Sequence, residues 1–198
     1  MSKKQQTPKM AKKKLRSKEE RLFARLKETS VDEQELRILR YGGILHDIGK
    51  IGISEDILSK KDSLSDEERK IIQNHPVLGE KIIEPIDFLA PVRELVLHHH
   101  EWMDGSGYPD GLKGDEIPLG ARIINAADTY DAVTSQRPYQ KAVDNPQAIK
   151  ILENLRLRQI DPKICDALIE IIEQRIADGS ISPTEWEDEY TDPTGYES

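Results

Sequence analysis

The chain has 198 residues, 36% of them hydrophobic, and a mean hydropathy of −0.64, as expected for one water-soluble globular domain with polar ends. It contains no run of about 18 apolar residues that could span a membrane, and its lysine-rich beginning lacks the apolar stretch of a secretory signal. We therefore expect a cytoplasmic protein. The single cysteine, Cys165, excludes an internal disulfide framework, and its apolar neighbours favour core packing over catalysis.

The net charge of −8 is unevenly distributed along the chain. Residues 1–27 contain eleven lysines and arginines, whereas the end of the chain is acidic. We predict a basic N-terminal arm or helix over 1–30, a folded domain over 31–178 and a flexible acidic tail over 179–198. No aromatic residues alternate with the early lysines, so the pattern favours a solvated basic arm over a nucleic-acid-binding one.

The first predicted helix covers residues 32–49, where apolar residues recur at a spacing close to 3.6. Its inward face would carry Leu36, Leu39, Ile44, Leu45 and Ile48, while Gly42 and Gly43 would allow a neighbouring helix to approach closely. A second helix begins at a capping box formed by Ser65 and Glu68. Its buried stripe would consist of Ile71, Ile72 and His75, and Pro76 would interrupt it.

Helical spacing continues through the second half of the chain. One inward face would contain Val92, Leu95, Val96 and His99, and another Ile123, Ile124, Ala127 and Asp128. The segments "DNPQ" at 144–147 and "IDPK" at 160–163 place a capping residue before a proline, and Gly179 can end the last helix. With no predicted strand pair, the expected fold is an all-α helical bundle.

Histidines and carboxylates interrupt these apolar stripes at His46, Asp47, His75, His99 and Asp128. One inward histidine is usually a hydrogen-bonded core residue. Several imidazoles and carboxylates in one core would be costly without a cation, so their convergence indicates a metal site. Successive helical residues point about 100° apart, so two neighbours, but not three, can reach one site. His98 is therefore excluded from the predicted ligands.

Four segments carry a family resemblance: "HDIGKIGI" at 46–53, "NHPVLGEKII" at 74–83, "HHHEWMDGSGYPDGLKGDEIPLGARII" at 98–124 and "AADTYDAVTSQRPY" at 126–139. In order and spacing they resemble the motifs of the HD-GYP family, over roughly residues 31–175. That family is a bacterial branch of the HD metal-dependent phosphohydrolases and is associated with hydrolysis of cyclic di-GMP. The resemblance implies an HD-superfamily helical bundle with a Gly/Pro-rich loop over the metal site.

The resemblance also implies a ligand set and a cofactor. The implied metal ligands are His46, Asp47, His75, His99, His100 and Asp128, with Asp47 bridging two transition-metal ions. Mixed imidazole and carboxylate ligands suit iron or manganese and do not exclude zinc, so the ligand types do not settle the metal. Iron or manganese is the family expectation. Asp47 and Lys50 would be the catalytic residues. Lys50 would contact a phosphate, although a lysine at a helix C-terminus can simply complement the helix dipole.

Hydrolysis in such a site needs no serine or cysteine nucleophile, because two metal ions activate a water for in-line attack on phosphorus. The loop "DGSGYPDGL", residues 104–112, is expected to form a lip over the substrate, with Gly105, Gly107 and Gly111 allowing close approach of a ligand. The alternative is an ordinary surface turn. The implied substrate contacts are Lys50, Gly107, Tyr108, Pro109, Arg137 and Lys141.

Two departures from the family pattern affect the functional prediction. A preceding helix in the family supplies a further histidine, but here "KMAKKKLRSKEERLF" contains none. One ion is therefore expected to bind weakly, and a third ion is not expected. Gln140 also stands where the family tends to have a basic residue.

The primary hypothesis is a metal-dependent phosphodiesterase for cyclic di-GMP or a related cyclic dinucleotide. The alternative is a catalytically degenerate domain that acts as a ligand-binding or protein-interaction module. In either case a separate sensor or signalling protein is a candidate partner.

Overall fold

The computed structural model describes residues 32–60, 62–136 and 142–182. Eight α-helices lie in these ranges: α1 (Glu33–Leu45), α2 (Glu55–Leu58), α3 (Asp66–Gln73), α4 (His75–Ile83), α5 (Arg93–His98), α6 (Leu119–Thr134), α7 (Asn145–Leu155) and α8 (Pro162–Ala177). Short 3₁₀ helices occupy Ile48–Gly52, Asp87–Val92 and Gly114–Glu116. The described ranges contain no strand beyond one isolated bridge between Arg156 and Ile160, which confirms the all-α prediction.

The helix boundaries follow the predicted capping signals. The capping box of Ser65 and Glu68 is formed at the start of α3. Asp144 and Asp161 cap α7 and α8 by accepting backbone N–H groups in the first turn of each helix. After α8 the chain takes a positive φ of +72° at Gly179, a conformation that glycine adopts without steric cost. Local chemistry therefore determines where these helices begin and end.

Two helix predictions were wrong in detail. The predicted helix over 32–49 ends at Leu45, and the chain then turns into a 3₁₀ helix. Ile44, predicted to face inward, lies within α1 but is 69% exposed. The second predicted helix is two helices, because α3 ends at Gln73 and α4 begins at His75. Pro76 lies in the first turn of α4, where its missing N–H costs nothing. Ile71, predicted to be buried, is 45% exposed because α3 lies on the surface.

A large apolar cluster joins α6, α7 and α8 to α1 and α5, and it contains Leu39, Tyr130, Leu152 and Ile164. Cys165 lies inside it with no exposed surface. Burial raises the pKa of the Cys165 thiol to about 11, so the group stays protonated at neutral pH. The prediction of a core rather than a catalytic cysteine agrees with this placement.

Leu95 shows how closely the helices approach one another. A Cβ atom added at Gly42 of α1 or at Gly120 of α6 would lie 2.8 Å from Leu95 Cδ2. The predicted close approach at Gly42 is therefore present. A second, smaller cluster of Ile83, Leu89, Val92 and Val96 lies beside the polar residues described below. Among the described helices, none is long and apolar enough to cross a membrane.

Candidate metal centre

The structure brings the six predicted metal ligands together from four parts of the fold. His46 and Asp47 follow the end of α1, His75 begins α4, His99 and His100 follow α5, and Asp128 lies in α6. Each of the first five lies at the end of a helix, where a short turn can direct a side chain inward. His75 and His99 are almost completely buried, with 1% and 0% exposure.

Gly49 explains how α4 reaches Asp47. The 3₁₀ helix after Asp47 passes so close to α4 that a Cβ atom at Gly49 would lie 1.9 Å from the His75 carbonyl oxygen and 2.5 Å from the Gly79 amide nitrogen. Both neighbours are backbone atoms, so only glycine fits. This contact places Asp47 beside the imidazole of His75.

Three of the imidazoles are oriented by the backbone. Nδ1 of His46, His75 and His99 lies 2.7, 2.8 and 2.7 Å from the carbonyl oxygen three residues earlier. A carbonyl oxygen only accepts hydrogen bonds, so each Nδ1 must carry the proton. The Nε2 atoms face the interior of the site. This arrangement is typical of histidines that bind a metal through Nε2.

The Nε2 atoms of His75 and His99 lie 3.2 Å apart. When both rings are neutral with the proton on Nδ1, two lone pairs face each other and no hydrogen bond can form between the two Nε2 atoms. His75 Nε2 is also 3.1 Å from Oδ1 of Asp47, a buried oxygen without a hydrogen-bond partner among the described residues. Converging lone pairs and an unpaired carboxylate oxygen are stabilised by a cation.

Four side chains form the most compact ligand group in this region. One donor atom from each of Asp47, His75, His99 and His100 lies within 4.8 Å of the other three. Burial lowers the pKa of His99 well below its usual value and lowers the pKa of His100 to about 3. Both imidazoles are therefore neutral at neutral pH, the form that binds metals.

His46 differs in its electrostatics because it lies between two carboxylates. Its Nε2 is 3.4 Å from Asp47 Oδ2 and 3.8 Å from Asp128 Oδ1. Burial acts to lower the pKa of His46, but the interactions with Asp128 and Asp47 outweigh it and raise the pKa to about 10. Burial acts to raise the pKa of Asp128, but the interactions with nearby His46 and the other charged groups together outweigh it and lower the pKa. A cation here would replace the His46 proton.

These residues fit a divalent transition metal. The donors are imidazole nitrogens and carboxylate oxygens, the types that zinc, iron and manganese share. Three of the imidazoles are oriented by backbone hydrogen bonds, and one oxygen of Asp47 is buried without a hydrogen-bond partner among the described residues. The site can therefore hold a metal ion.

Lys50 lies at the same site. Its Nζ is 2.6 Å from Asp47 Oδ2, and its side chain is 40% exposed. Lys50 lies in the last turn of the 3₁₀ helix and not at the C-terminus of α1, so the alternative of complementing a helix dipole applies to this short helix. Its ammonium group is close to a predicted ligand and open to solvent.

His98 points away from the other four histidines. Its Nε2 lies 3.0 Å from Asp110 Oδ2, and its Nδ1 lies 3.1 Å from the carbonyl oxygen of Glu94. The structure therefore places His98 outside the compact ligand group, in agreement with its exclusion from the predicted ligands.

The predicted lip, residues 104–112, covers His100. The ring of Tyr108 stacks on the His100 imidazole at a centroid distance of 4.9 Å and an angle of 29°. Burial raises the pKa of Tyr108, so its hydroxyl stays protonated. The following residue, Pro109, is half-buried and joined to Tyr108 by a cis peptide bond.

Gly107 has a different role from the predicted one. A Cβ atom there would lie 2.4 Å from the Trp102 amide nitrogen and 2.5 Å from the His100 carbonyl oxygen. The close approach that requires glycine is therefore to the protein's own backbone, and it holds the lip against residues 100–102. Two other predicted substrate contacts, Arg137 and Lys141, lie outside the described residues.

Two polar residues beside the ligands had no role in the sequence analysis. Asn125 of α6 is buried, and its Nδ2 donates to the His99 carbonyl oxygen at 2.8 Å. Glu101 is 1% exposed and accepts hydrogen bonds from the lip. The sequence signal for Asn125 was its polar side chain within the apolar run of α6. For Glu101 the signal was its position directly after His100.

Comparisons with known proteins agree with this arrangement. The HD domain family model matches residues 3–164. The chain is 40% identical over 141 residues to the cyclic di-GMP phosphodiesterase response regulator RpfG of Xanthomonas campestris, covering 70% of this chain and 37% of that protein. It is 40% identical over 130 residues to the 3'3'-cGAMP-specific phosphodiesterase 3 of Vibrio cholerae, covering 66% of this chain and 28% of that protein.

A third relative is the cyclic di-GMP phosphodiesterase of Thermotoga maritima, 37% identical over 153 residues, with 76% of this chain and 41% of that protein covered. The chain thus spans between about a quarter and two fifths of the length of these relatives.

Two solved structures share the fold. An HDG"Y"P protein from Bdellovibrio bacteriovorus superposes with a TM-score of 0.64 at 21% identity, covering 79% of this chain and 49% of that chain. A cyclic GMP-AMP specific phosphodiesterase of V. cholerae superposes with a TM-score of 0.59 at 18% identity, covering 82% and 44%. With the match to the family model, the predicted HD-GYP resemblance is confirmed, and the chain belongs to the HD domain family.

Proposed function

We propose that this chain is a metal-dependent phosphodiesterase that hydrolyses cyclic di-GMP or a related cyclic dinucleotide, using two ions of iron or manganese. The observation that carries the proposal is the convergence of backbone-oriented imidazoles on the Asp47 carboxylate. The relatives named as cyclic di-GMP and 3'3'-cGAMP phosphodiesterases support the substrate class.

In this proposal each side chain has a separate task. Bound divalent ions supply Lewis acidity toward a phosphate oxygen and lower the pKa of a water. Asp47, His75, His99 and His100 hold one ion, while Lys50 offers a positive charge to a substrate phosphate. Tyr108 presents an aromatic face and a hydroxyl donor beside His100, where a nucleotide base can stack.

The second ion is assigned to His46, Asp47 and Asp128, and it is expected to bind more weakly. Each ligand that the protein does not supply leaves a coordination position to water and raises the dissociation constant. The assignment is supported by the distances from His46 Nε2 to Asp47 Oδ2, 3.4 Å, and to Asp128 Oδ1, 3.8 Å. Added manganese or iron should therefore raise activity steeply in a range where the first site is already full.

The small number of ligands at the second ion position also supports a second candidate function, a catalytically degenerate domain that binds a cyclic dinucleotide or a partner protein without hydrolysis. A single tight ion and no turnover at saturating metal would favour it. Two equally tight ions would show that another residue, or a second chain, completes the second position.

The proposal is tested by elemental analysis after anaerobic purification and reconstitution, followed by chromatography of cyclic di-GMP and 3'3'-cGAMP incubated with the protein. Less than about a tenth of an ion per chain would reject the metal site, since preformed sites bind their metals strongly. His99→Asn and His98→Asn form a matched pair of neighbouring histidines. Only the first variant should lose metal, because His98 faces Asp110 instead.

The proposal also includes two expectations about cellular context. A cytoplasmic location agrees with the buried, unpaired Cys165. A separate sensor or signalling protein is the proposed regulator.

A further inference from the structure

Glu101 is a buried carboxylate that no step of the proposed function uses. It follows His100 directly, and its side chain is 1% exposed. Its Oε1 accepts the backbone N–H groups of Asp110 at 2.7 Å and Gly111 at 3.0 Å. Its Oε2 is buried without a hydrogen-bond partner among the described residues.

These two hydrogen bonds act on the lip just after Tyr108. At Tyr108 itself, the backbone N–H donates to the His100 carbonyl oxygen at 3.2 Å. The backbone that carries the ring is therefore held at two points. The Tyr108 amide is bonded to His100, and the amides two and three residues later are bonded to Glu101. Asp110 is held twice, because its carboxylate also lies 3.0 Å from His98 Nε2.

The energetics of Glu101 indicate a positional role. Burying a carboxylate oxygen without a partner costs free energy, so Glu101 is a poor choice if stability alone is the purpose. The same residue supplies one oxygen that satisfies two consecutive backbone donors at the point where the lip turns back toward α5. Because Glu101 directly follows His100, its hydrogen bonds couple the lip to the candidate metal ligands.

We propose that Glu101 is a positioning residue that holds the lip closed and thereby keeps the Tyr108 ring stacked on His100, where it contacts the dinucleotide. The substrate contact of Tyr108 in this statement rests on the proposed function. The hold on the lip is independent of it.

The first test measures the lip without using activity. Hydrogen exchange of the full metal-loaded chain is followed in a peptide covering residues 103–112 for the wild type, Glu101→Ala and Glu101→Gln. Glu101→Ala should exchange at least about tenfold faster there, because protection reflects the free energy of local opening. Glutamine keeps a carbonyl oxygen that can accept both N–H groups, so Glu101→Gln should restore most of the protection.

Glu116→Ala is the matched control. Glu116 also accepts a backbone N–H, from Lys113 at 3.0 Å, but it is exposed, and both partners lie outside residues 103–112. Its removal should leave exchange over 103–112 unchanged. Unchanged exchange in Glu101→Ala, or loss of metal from that variant, would overturn the proposal, the latter by showing that Glu101 acts on the ligands and not on the lip.

The second test is a double-mutant cycle on the KM for cyclic di-GMP. Glu101→Ala and Tyr108→Ala should each raise KM by about tenfold, and the double variant should show about the same tenfold increase and not a hundredfold one, because coupled residues are non-additive. Glu101→Gln should recover most of the affinity, and kcat should change less than KM. Additive effects would overturn the coupling to Tyr108. A wild type that hydrolyses no cyclic dinucleotide would overturn the proposed function, and the exchange experiment would still judge the hold of Glu101 on the lip.

Discussion

Two buried regions of this protein contrast in what fills them. The cluster between α6, α7 and α8 consists of side chains such as Leu152 and Ile164, whose burial removes apolar surface from water. The region between α1, α4 and α5 is equally closed around His75 and His99, but it contains lone pairs and a carboxylate oxygen without a partner among the described residues. The first region stabilises the fold, and the second contains the candidate metal ligands.

The contrast also shows how a polar interior is tolerated. The imidazoles of His46, His75 and His99 are each satisfied on one side by a backbone carbonyl oxygen three residues earlier in the chain. Only the inward-facing atoms remain unsatisfied, and these are the atoms that a cation requires. Substitutions should therefore affect stability in one region and metal binding in the other.

The largest effect is expected from Asp47→Ala. This substitution removes a donor from both proposed ion positions, and the several kcal/mol that metal ions contribute correspond to a loss of roughly 10³-fold or more in hydrolysis. Metal content should fall with activity, as measured by elemental analysis and chromatography of the product. Full metal content in this variant would contradict the assigned bridging role.

Leu152→Ala should have the opposite profile. Leu152 has no exposed surface, and truncating a buried leucine typically costs about 2–5 kcal/mol of unfolding free energy. Urea denaturation should show this loss while the folded fraction retains its metal. Ile44→Ala is the control, because Ile44 is 69% exposed, and its effect should stay within about 0.5 kcal/mol.

Removing the metal should destabilise the protein without unfolding it, because the apolar cluster and the carbonyl-bound imidazoles do not depend on an ion. At a metal concentration one hundred times the dissociation constant, binding contributes about 2.7 kcal/mol, which corresponds to a fall in Tm of roughly 5–10 °C on chelation. Circular dichroism should show unchanged helix content at 25 °C. Loss of the helical signal on chelation would show that the metal centre also holds the fold.

Lys50→Ala tests whether Lys50 contacts a substrate phosphate or supports metal binding. Lys50 lies 2.6 Å from Asp47 but is open to solvent, so its removal should leave the metal bound and lower the rate by roughly 10- to 100-fold, as loss of a charge-assisted contact does. Steady-state kinetics and metal analysis of the same preparation test this. Metal loss equal to that of Asp47→Ala would assign Lys50 a structural role.

The smallest effect is expected from Tyr108→Ala. The ring lies in a half-exposed loop against His100, so its loss should weaken dinucleotide binding by about tenfold, the value of one base stacked on an aromatic ring. Calorimetry and thermal melting should show a fall in affinity with little change in Tm. A large drop in Tm at constant affinity would instead assign Tyr108 to packing.

The amino-acid sequence by itself determined the helical class, most helix starts and the set of residues that converge. Capping is local chemistry, since Ser65, Asp144 and Asp161 act on amides within one turn, and apolar periodicity identifies inward faces. The inward positions of His75 and His99 followed from that periodicity. The resemblance of the motifs supplied the remaining implied ligands.

Only the tertiary structure decided how these residues meet. The contact between Gly49 and the backbone of α4, the facing Nε2 atoms of His75 and His99 and the hold of Glu101 on the lip join segments that are distant along the chain or reversed by a turn. The exposure of Ile44 and the packing of Gly107 against the backbone of residues 100–102 likewise depend on which segments the fold places next to them. Periodicity specifies the face on which a residue lies, but the distance between two faces is determined by packing across the whole fold.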